Sequence, residues 1–223
     1  MYSQTFYRFL QLVFIFIAAF FLIFLSVLPH PLFVILKVSP AIIAIVTAFL
    51  YCKFERKFLP ILIFTFMGSG DLFLGLSRTR FFMFALASFM VANILLLIYM
   101  IPYARKSKSG TIKASAIVVF CIFISFIIIP GSDNFFIPVL LYLIMISTMT
   151  FVSAFNISSK GSLVYAGAVF FNLSDSLIAY DKFVHPVQGS LPVILVLYYL
   201  SLYCFCFGIV PSPSVVPTNN NDL

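Results

Sequence analysis

An all-α membrane protein, a bundle of about eight transmembrane helices with both termini cytosolic, is the fold class that three observations predict. The chain is 63% hydrophobic and only 9% charged, whereas soluble domains are about half apolar and roughly a quarter charged. Its apolar residues fall in runs of about 17–22, long enough to cross a hydrocarbon core of about 30 Å, and Pro, Gly and charge separate the runs. Its basic residues collect in alternate loops, the pattern that orients membrane helices.

The first span, near 9–28, follows Arg8 and closes at Pro29-His30-Pro31. Its length and its lack of a small-residue cleavage site make it a span and not a cleaved signal. The second, near 32–51, is joined to it by a very short loop, so the two form an antiparallel hairpin. The third, near 59–76, lies between Lys57 and Arg78, and the fourth, near 81–101, stops at Pro102. The fifth, near 113–130, follows the basic stretch Arg105–Lys113 and ends at Pro130-Gly131-Ser132-Asp133-Asn134, a turn sequence. The sixth, seventh and eighth fall near 136–155, 161–180 and 190–209. Residues 1–210 thus make a single polytopic domain, and the Pro/Ser/Asn-rich stretch 211–223 reads as a disordered tail. No internal repeat stands out.

Charge assigns the sides. Arg8, Lys53, Arg56, Lys57, Arg105, Lys106, Lys108, Lys113 and Lys160 share one side, against Arg78, Arg80 and Lys182 in loops on the other. The richer side is expected in the cytosol. The net charge of +7 therefore records topology, and no nucleic-acid partner is expected. Cys52, Cys121, Cys204 and Cys206 lie in or beside apolar runs and read as core- or lipid-facing thiols. His30 and His185 lack a further ligand for zinc, so neither a metal nor a cofactor is expected.

Two acids stand inside spans: Asp71 within Leu59–Leu76 and Asp175 within Gly161–Tyr180. A carboxylate at a helix centre costs roughly 2.5–3.5 kcal/mol on insertion scales. Each lies about five residues before the outer end of its helix, and Lys37 lies about six residues after the outer start of helix two, so all three sit roughly 7–9 Å below the outer boundary. Gly68, Asp71 and Gly75 share one helix face, and Asn172, Asp175, Ser176 and Ala179 form a polar, small stripe on another. Pro40 is positioned to loosen helix two and free carbonyls for the same cavity. Asn93, in mid-helix four, either bonds across the bundle or lines that cavity. Ser174 is a nucleophile only if a base stands near it. A purely structural role is open as well, with Lys37 neutralising one acid or snorkelling outward. One lysine cannot neutralise two acids, and a proton kept on one carboxyl relieves the excess charge.

The same residues carry a family resemblance. Phe170-Phe171-Asn172-Leu173-Ser174-Asp175, with Ala179-Tyr180-Asp181-Lys182-Phe183 and Pro186, resembles the Ser-Asp…Asp-Lys-Phe signature of the YhhN-type lysoplasmalogenase family, eight-helix integral membrane enzymes. Gly70-Asp71-Leu72-Phe73-Leu74 resembles its Gly-Asp motif and Lys37-Val38-Ser39-Pro40 its Lys-x-x-Pro. Tyr142 with Met149, and Tyr198-Tyr199, are less distinctive matches. Asn93 stands where helix four of the family usually has His, and Leu202 where a glutamine often follows the Tyr pair.

The resemblance implies hydrolysis of the vinyl-ether bond of a lysoplasmalogen, a lysophospholipid substrate, to a fatty aldehyde and glycerophospho-ethanolamine or -choline. It implies Asp71 and Asp175 as the catalytic pair and the endoplasmic-reticulum membrane as the location. Opening a vinyl ether needs a protonated acid and a carboxylate that steadies the cation and activates water, the two-carboxylate solution of glycosidases. Asp175 is expected as the acid and Asp71 as the base, with Lys37, Asn93, Asn172 and Ser174 supporting and Lys182 at the mouth for the phosphate. Two other functions stay open: lysolipid binding without turnover, and proton-coupled transport through the carboxylates.

Overall fold

Ser3 accepts a hydrogen bond from the Phe6 amide at 3.3 Å and starts α1 (Gln4–Ile23). Ser107 does the same for α5 (Lys108–Ile128) through the Gly110 amide at 3.0 Å. Such caps satisfy amides that a helix start leaves without partners. Proline near the first turn opens α2 (His30–Tyr51), where a missing N–H costs nothing. The remaining helices are α3 (Phe58–Leu76), α4 (Phe82–Met100), α6 (Phe136–Ser153), α7 (Gly161–Phe183) and α8 (Ser190–Ile209). The structure, a computed structural model, describes residues 3–213, and among these eight helices are long and apolar enough to cross a membrane. A helix bonds its own backbone internally, as a lipid-exposed segment must.

Three helices differ by three or more residues at an end from the sequence expectation. The first runs over Gln4–Ile23 and not 9–28, because the Ser3 cap starts it early and the chain turns before Pro29. The fifth starts at Lys108 and not 113, because Ser107 caps it ahead of the apolar run. The seventh continues to Phe183, so Asp181 and Lys182 are helical. Of the stretch expected as a disordered tail, 211–213 lies outside any helix, and 214–223 is outside the described residues. The turn at 130–134 is two short 3-10 turns, Ile129–Gly131 and Asp133–Phe135, with Asp133 in the left-handed region at φ 37°.

Helix α8 is the most buried span and packs against α7, α2 and α1, while α3 stands between α2 and α4. The α6 helix joins α4 to α7, and α5 lies outermost against α6 and α7. The start of α1 and the end of α8 meet on one face: the Tyr51 hydroxyl donates to the Ser3 carbonyl at 3.2 Å, and Tyr7 donates to the Val210 carbonyl at 3.3 Å.

Lipid tails are as apolar as leucine, so close packing and not hydrophobic burial holds such helices together. The face of α2 against α3 is accordingly small: Ala41, Ala44 and Ala48 are fully buried, and a Cβ on Gly68 would stand 3.1 Å from that of Ala41. The core is rich in phenylalanine. Phe89 of α4 meets Phe171 of α7 edge-on at 5.7 Å and Tyr198 of α8 at 5.9 Å, a geometry aromatic rings favour. Gly70 of α3 is what lets the Phe89 ring lie flat on that helix, because a Cβ there would overlap the ring.

Gly70→Ala is therefore expected to destabilise the folded protein by about 1–3 kcal/mol through displacement of Phe89. Thermal unfolding in detergent checks it, and an unchanged midpoint would show that the ring moves freely.

Candidate active site

Asp71 and Asp175 come from α3 and α7, and both are buried. They line one polar chamber of about 20 Å³ together with Lys37 of α2, Tyr198 of α8, Ser174 and Arg78. A volume of that size holds about one water molecule. The small face of α3 brings Asp71 there: Gly75, one turn on, rests 3.6 Å from the Lys37 Cδ if given a Cβ.

Each carboxylate is held by a tyrosine from a third helix. Tyr198 donates its hydroxyl to Asp71 Oδ2 at 2.6 Å. Tyr142 of α6 donates to Asp175 Oδ2, and Asn93 of α4 donates its Nδ2 to the Tyr142 oxygen at 3.4 Å. The two acids differ in what remains. Asp175 Oδ1 is buried without a partner, and so is Asn93 Oδ1. Unpartnered buried polar atoms are rare and mark places where chemistry or water belongs.

Lys37 is buried and lines the same chamber, so it does not snorkel away from the bundle, and it stays outside ion-pair distance of either acid. Pro40 remains inside an unbroken α2, and the neighbouring carbonyl that α8 uses is that of Lys37, which accepts from the Tyr199 hydroxyl at 3.2 Å. Asn172 is tied beneath the acids: its Nδ2 donates to Thr150 Oγ1 at 3.2 Å and to Cys121 Sγ at 3.6 Å. Ser174 donates to the Ile194 carbonyl at 3.1 Å, a strap between α7 and α8, while both histidines are exposed. No base activates this serine. Among the described residues no group of three His, Cys, Asp or Glu side chains is placed to hold a metal ion.

Two further cavities adjoin the chamber. An apolar pocket of about 40 Å³ lies between α4, α6 and α7, sharing Asp175, Leu74, Phe89 and Ile178 with the chamber. An outer vestibule of about 300 Å³ shares Arg78 with it and adds Asp181, Thr79 and Lys182. Lys182 is exposed, with its ammonium 4.7 Å above the Phe82 ring. Arg78 pairs with Asp181 at 3.3 Å, and Asp181 also accepts from the Val187 amide at 2.8 Å and from Ser190 at 3.1 Å.

Sequence reasoning took Arg78 only as a topology charge, yet it belongs to both chamber and vestibule. Arg78 follows the end of α3, past an extended Ser77, so no helical spacing marks it as a neighbour of Asp71. Tyr142 and Tyr198 were noticed only as weak matches, because no spacing rule shows which tyrosine reaches which acid.

The chain is 28% identical over 137 residues to proteins named "Lysoplasmalogenase" from Mycobacterium bovis and Mycobacterium tuberculosis, covering 58% of this chain and 51% of each relative. It thus spans about half the length of the curated relatives it matches. No solved structure matches it. The YhhN family matches over residues 32–209, a stretch that runs from α2 to the end of α8 and contains Lys37, both aspartates and both of their tyrosines. The chain therefore belongs to the YhhN family.

Proposed function

We propose that this protein is a membrane hydrolase that opens the vinyl-ether bond of a lysoplasmalogen with Asp175 as general acid and Asp71 as general base. The observation that carries this reading is the shared chamber: two buried carboxylates face one water-sized space that borders an apolar pocket and a cationic vestibule. A single-chain ether lipid has the same three parts in the same order. Its alkenyl chain would lie among Phe82, Phe89 and Leu143, its ether at the aspartates, and its phosphate near Arg78 and Lys182. The substrate is larger than the closed chamber, so its entry must part α4 from α7.

Asp175 lines both chamber and apolar pocket, so its unpartnered oxygen meets the alkenyl carbon. In the first step its proton goes to the vinyl carbon that bears the alkyl chain. The double-bond electrons form that C–H bond, leaving an oxocarbenium ion at the ether carbon. Water in the chamber adds to that carbon and gives a proton to Asp71. As the hemiacetal breaks its bond to the glycerol oxygen, Asp71 returns its proton to that oxygen and the hemiacetal hydroxyl gives its proton to Asp175, so the aldehyde leaves with both acids restored. Asn93 offers Tyr142 a hydrogen bond but cannot relay a proton as a histidine does. That difference favours one second reading, a protein that binds lysolipid without turning it over.

Purified protein given lysoplasmalogen should release fatty aldehyde. Asp71→Asn and Asp175→Asn should each lower turnover by about 10²–10⁴-fold, the usual worth of a positioned acid or base. Both variants should unfold at or above the native temperature, because an amide is less costly to bury than a carboxylate. Turnover untouched by either change would remove the aspartates from the chemistry, and binding without turnover in the native protein would establish the second reading. Asn93→His should raise the rate.

We also place the basic face, which carries the start of α1 and the end of α8, in the cytosol, with the aspartates toward the other leaflet of the endoplasmic-reticulum membrane, the compartment implied by the family resemblance. An impermeant thiol reagent should label Lys106→Cys from the cytosolic side and Arg80→Cys from the opposite side. Burial pushes the Cys52 thiol up to about 11, which keeps the native background low. The reverse pattern would invert the assignment.

A further inference from the structure

The end of the bundle remote from the aspartates contains a larger cavity, about 590 Å³, that no step above uses. It forms where α2, α4 and α8 end and α3 and α7 begin. Ligand pockets commonly run from about 300 to 1,000 Å³. Lys53 and Arg56 reach it from the link between α2 and α3, and Lys160 from the link before α7. Glu55 is the acid among its described lining residues, so three cations face one anion.

Two features separate this cavity from an ordinary solvated basic loop. First, carbonyls at the end of α8, which would repel an anion, are already occupied. Lys160 donates its ammonium to Phe207 at 2.7 Å and to Val210 at 3.4 Å, and Tyr99 donates to Ile209 at 3.4 Å. Second, the loops that form its wall are bonded to one another: the Arg105 amide donates to Phe155 at 3.0 Å, and the Ile157 amide to Tyr103 at 3.1 Å. Tyr103 and Ser158 on that wall are thereby held on a frame.

The position adds a chemical constraint. The cavity lies at the ends of the spans, at the depth of lipid headgroups, with Pro60 and Ile209 among its apolar walls. A ligand there joins an anionic group to something less polar. A phosphate monoester carries about −1.5 to −2 at neutral pH, which matches the excess of cations.

We propose that this cavity is a second ligand site that takes a phosphate monoester, held by Lys53, Arg56 and Lys160 and by the hydroxyls of Tyr103 and Ser158. The ligand bridges the α2–α3 link to the α6–α7 link and so ties two halves of the bundle together. Its source is either a lipid headgroup of that leaflet or a soluble phosphate ester. The site is independent of the catalytic reading and stands or falls alone.

The test uses the full chain in nanodiscs of phosphatidylcholine, with thermal unfolding as readout. Phosphatidic acid is added to the bilayer in one arm, and inorganic phosphate or glycerol phosphate to the buffer in another. A rise in unfolding temperature in the lipid arm alone identifies a headgroup, and a rise with the soluble probes identifies a free ester. In either case a Lys53→Gln/Arg56→Gln variant should need about tenfold more ligand for the same rise, the loss expected for charge-assisted hydrogen bonds. A Lys106→Gln/Lys108→Gln variant, altered outside the cavity, should respond as the native protein does. No rise in any arm overturns the site, as does a rise that the first variant leaves unchanged.

Discussion

The hydroxyls of Tyr142 and Tyr198 each donate a hydrogen bond to a buried aspartate, and those two bonds constrain which helices can lie beside one another. A charge or polar atom inside a bilayer has no water to turn to, so its partners must come from neighbouring helices. Asp71 on α3 requires α8 beside it, and Asp175 on α7 requires α6. Asn93 then fastens α4 to the same tyrosine as Asp175. The small residues of α2 and α3 and the glycine beneath Phe89 allow the close approach that these bonds need. The most polar point of the bundle thus coincides with its most constrained packing, and the remaining helices, α1 and α5, can face lipid more freely.

Much of this was legible in the amino-acid sequence, for a physical reason. The insertion cost of Asp71 and Asp175 makes them conspicuous, and the positive-inside pattern sets helix direction, which fixes depth. Lys37 joined them by the same arithmetic. Arg78 is hidden because a basic residue near a helix end reads as a topology signal, whatever lies beneath it. The tyrosines were hidden because an aromatic residue with one polar atom suits core, interface and site alike. The start of α1 was misplaced because Ser3, a cap, lies outside the apolar run that marks the span. Helix neighbours such as α8 beside α2 have no local signature at all.

The two ends of the molecule divide their roles. On the aspartate side, the small chamber, the apolar pocket and the vestibule meet at Leu74 and Ile178. The opposite end carries the excess of cations and the loops that pair with one another. The chamber, about 20 Å³, has room for about one water molecule beside the carboxylates.

Proton delivery to carbon by the paired aspartates is tested most directly by turnover of a lysoplasmalogen in heavy water with immediate reduction of the aldehyde. One deuterium is expected on the carbon next to the former aldehyde carbon, and that labelled product should be lost in Asp175→Asn. Aldehyde released without deuterium at that carbon, or labelled equally fast by Asp175→Asn, would contradict it.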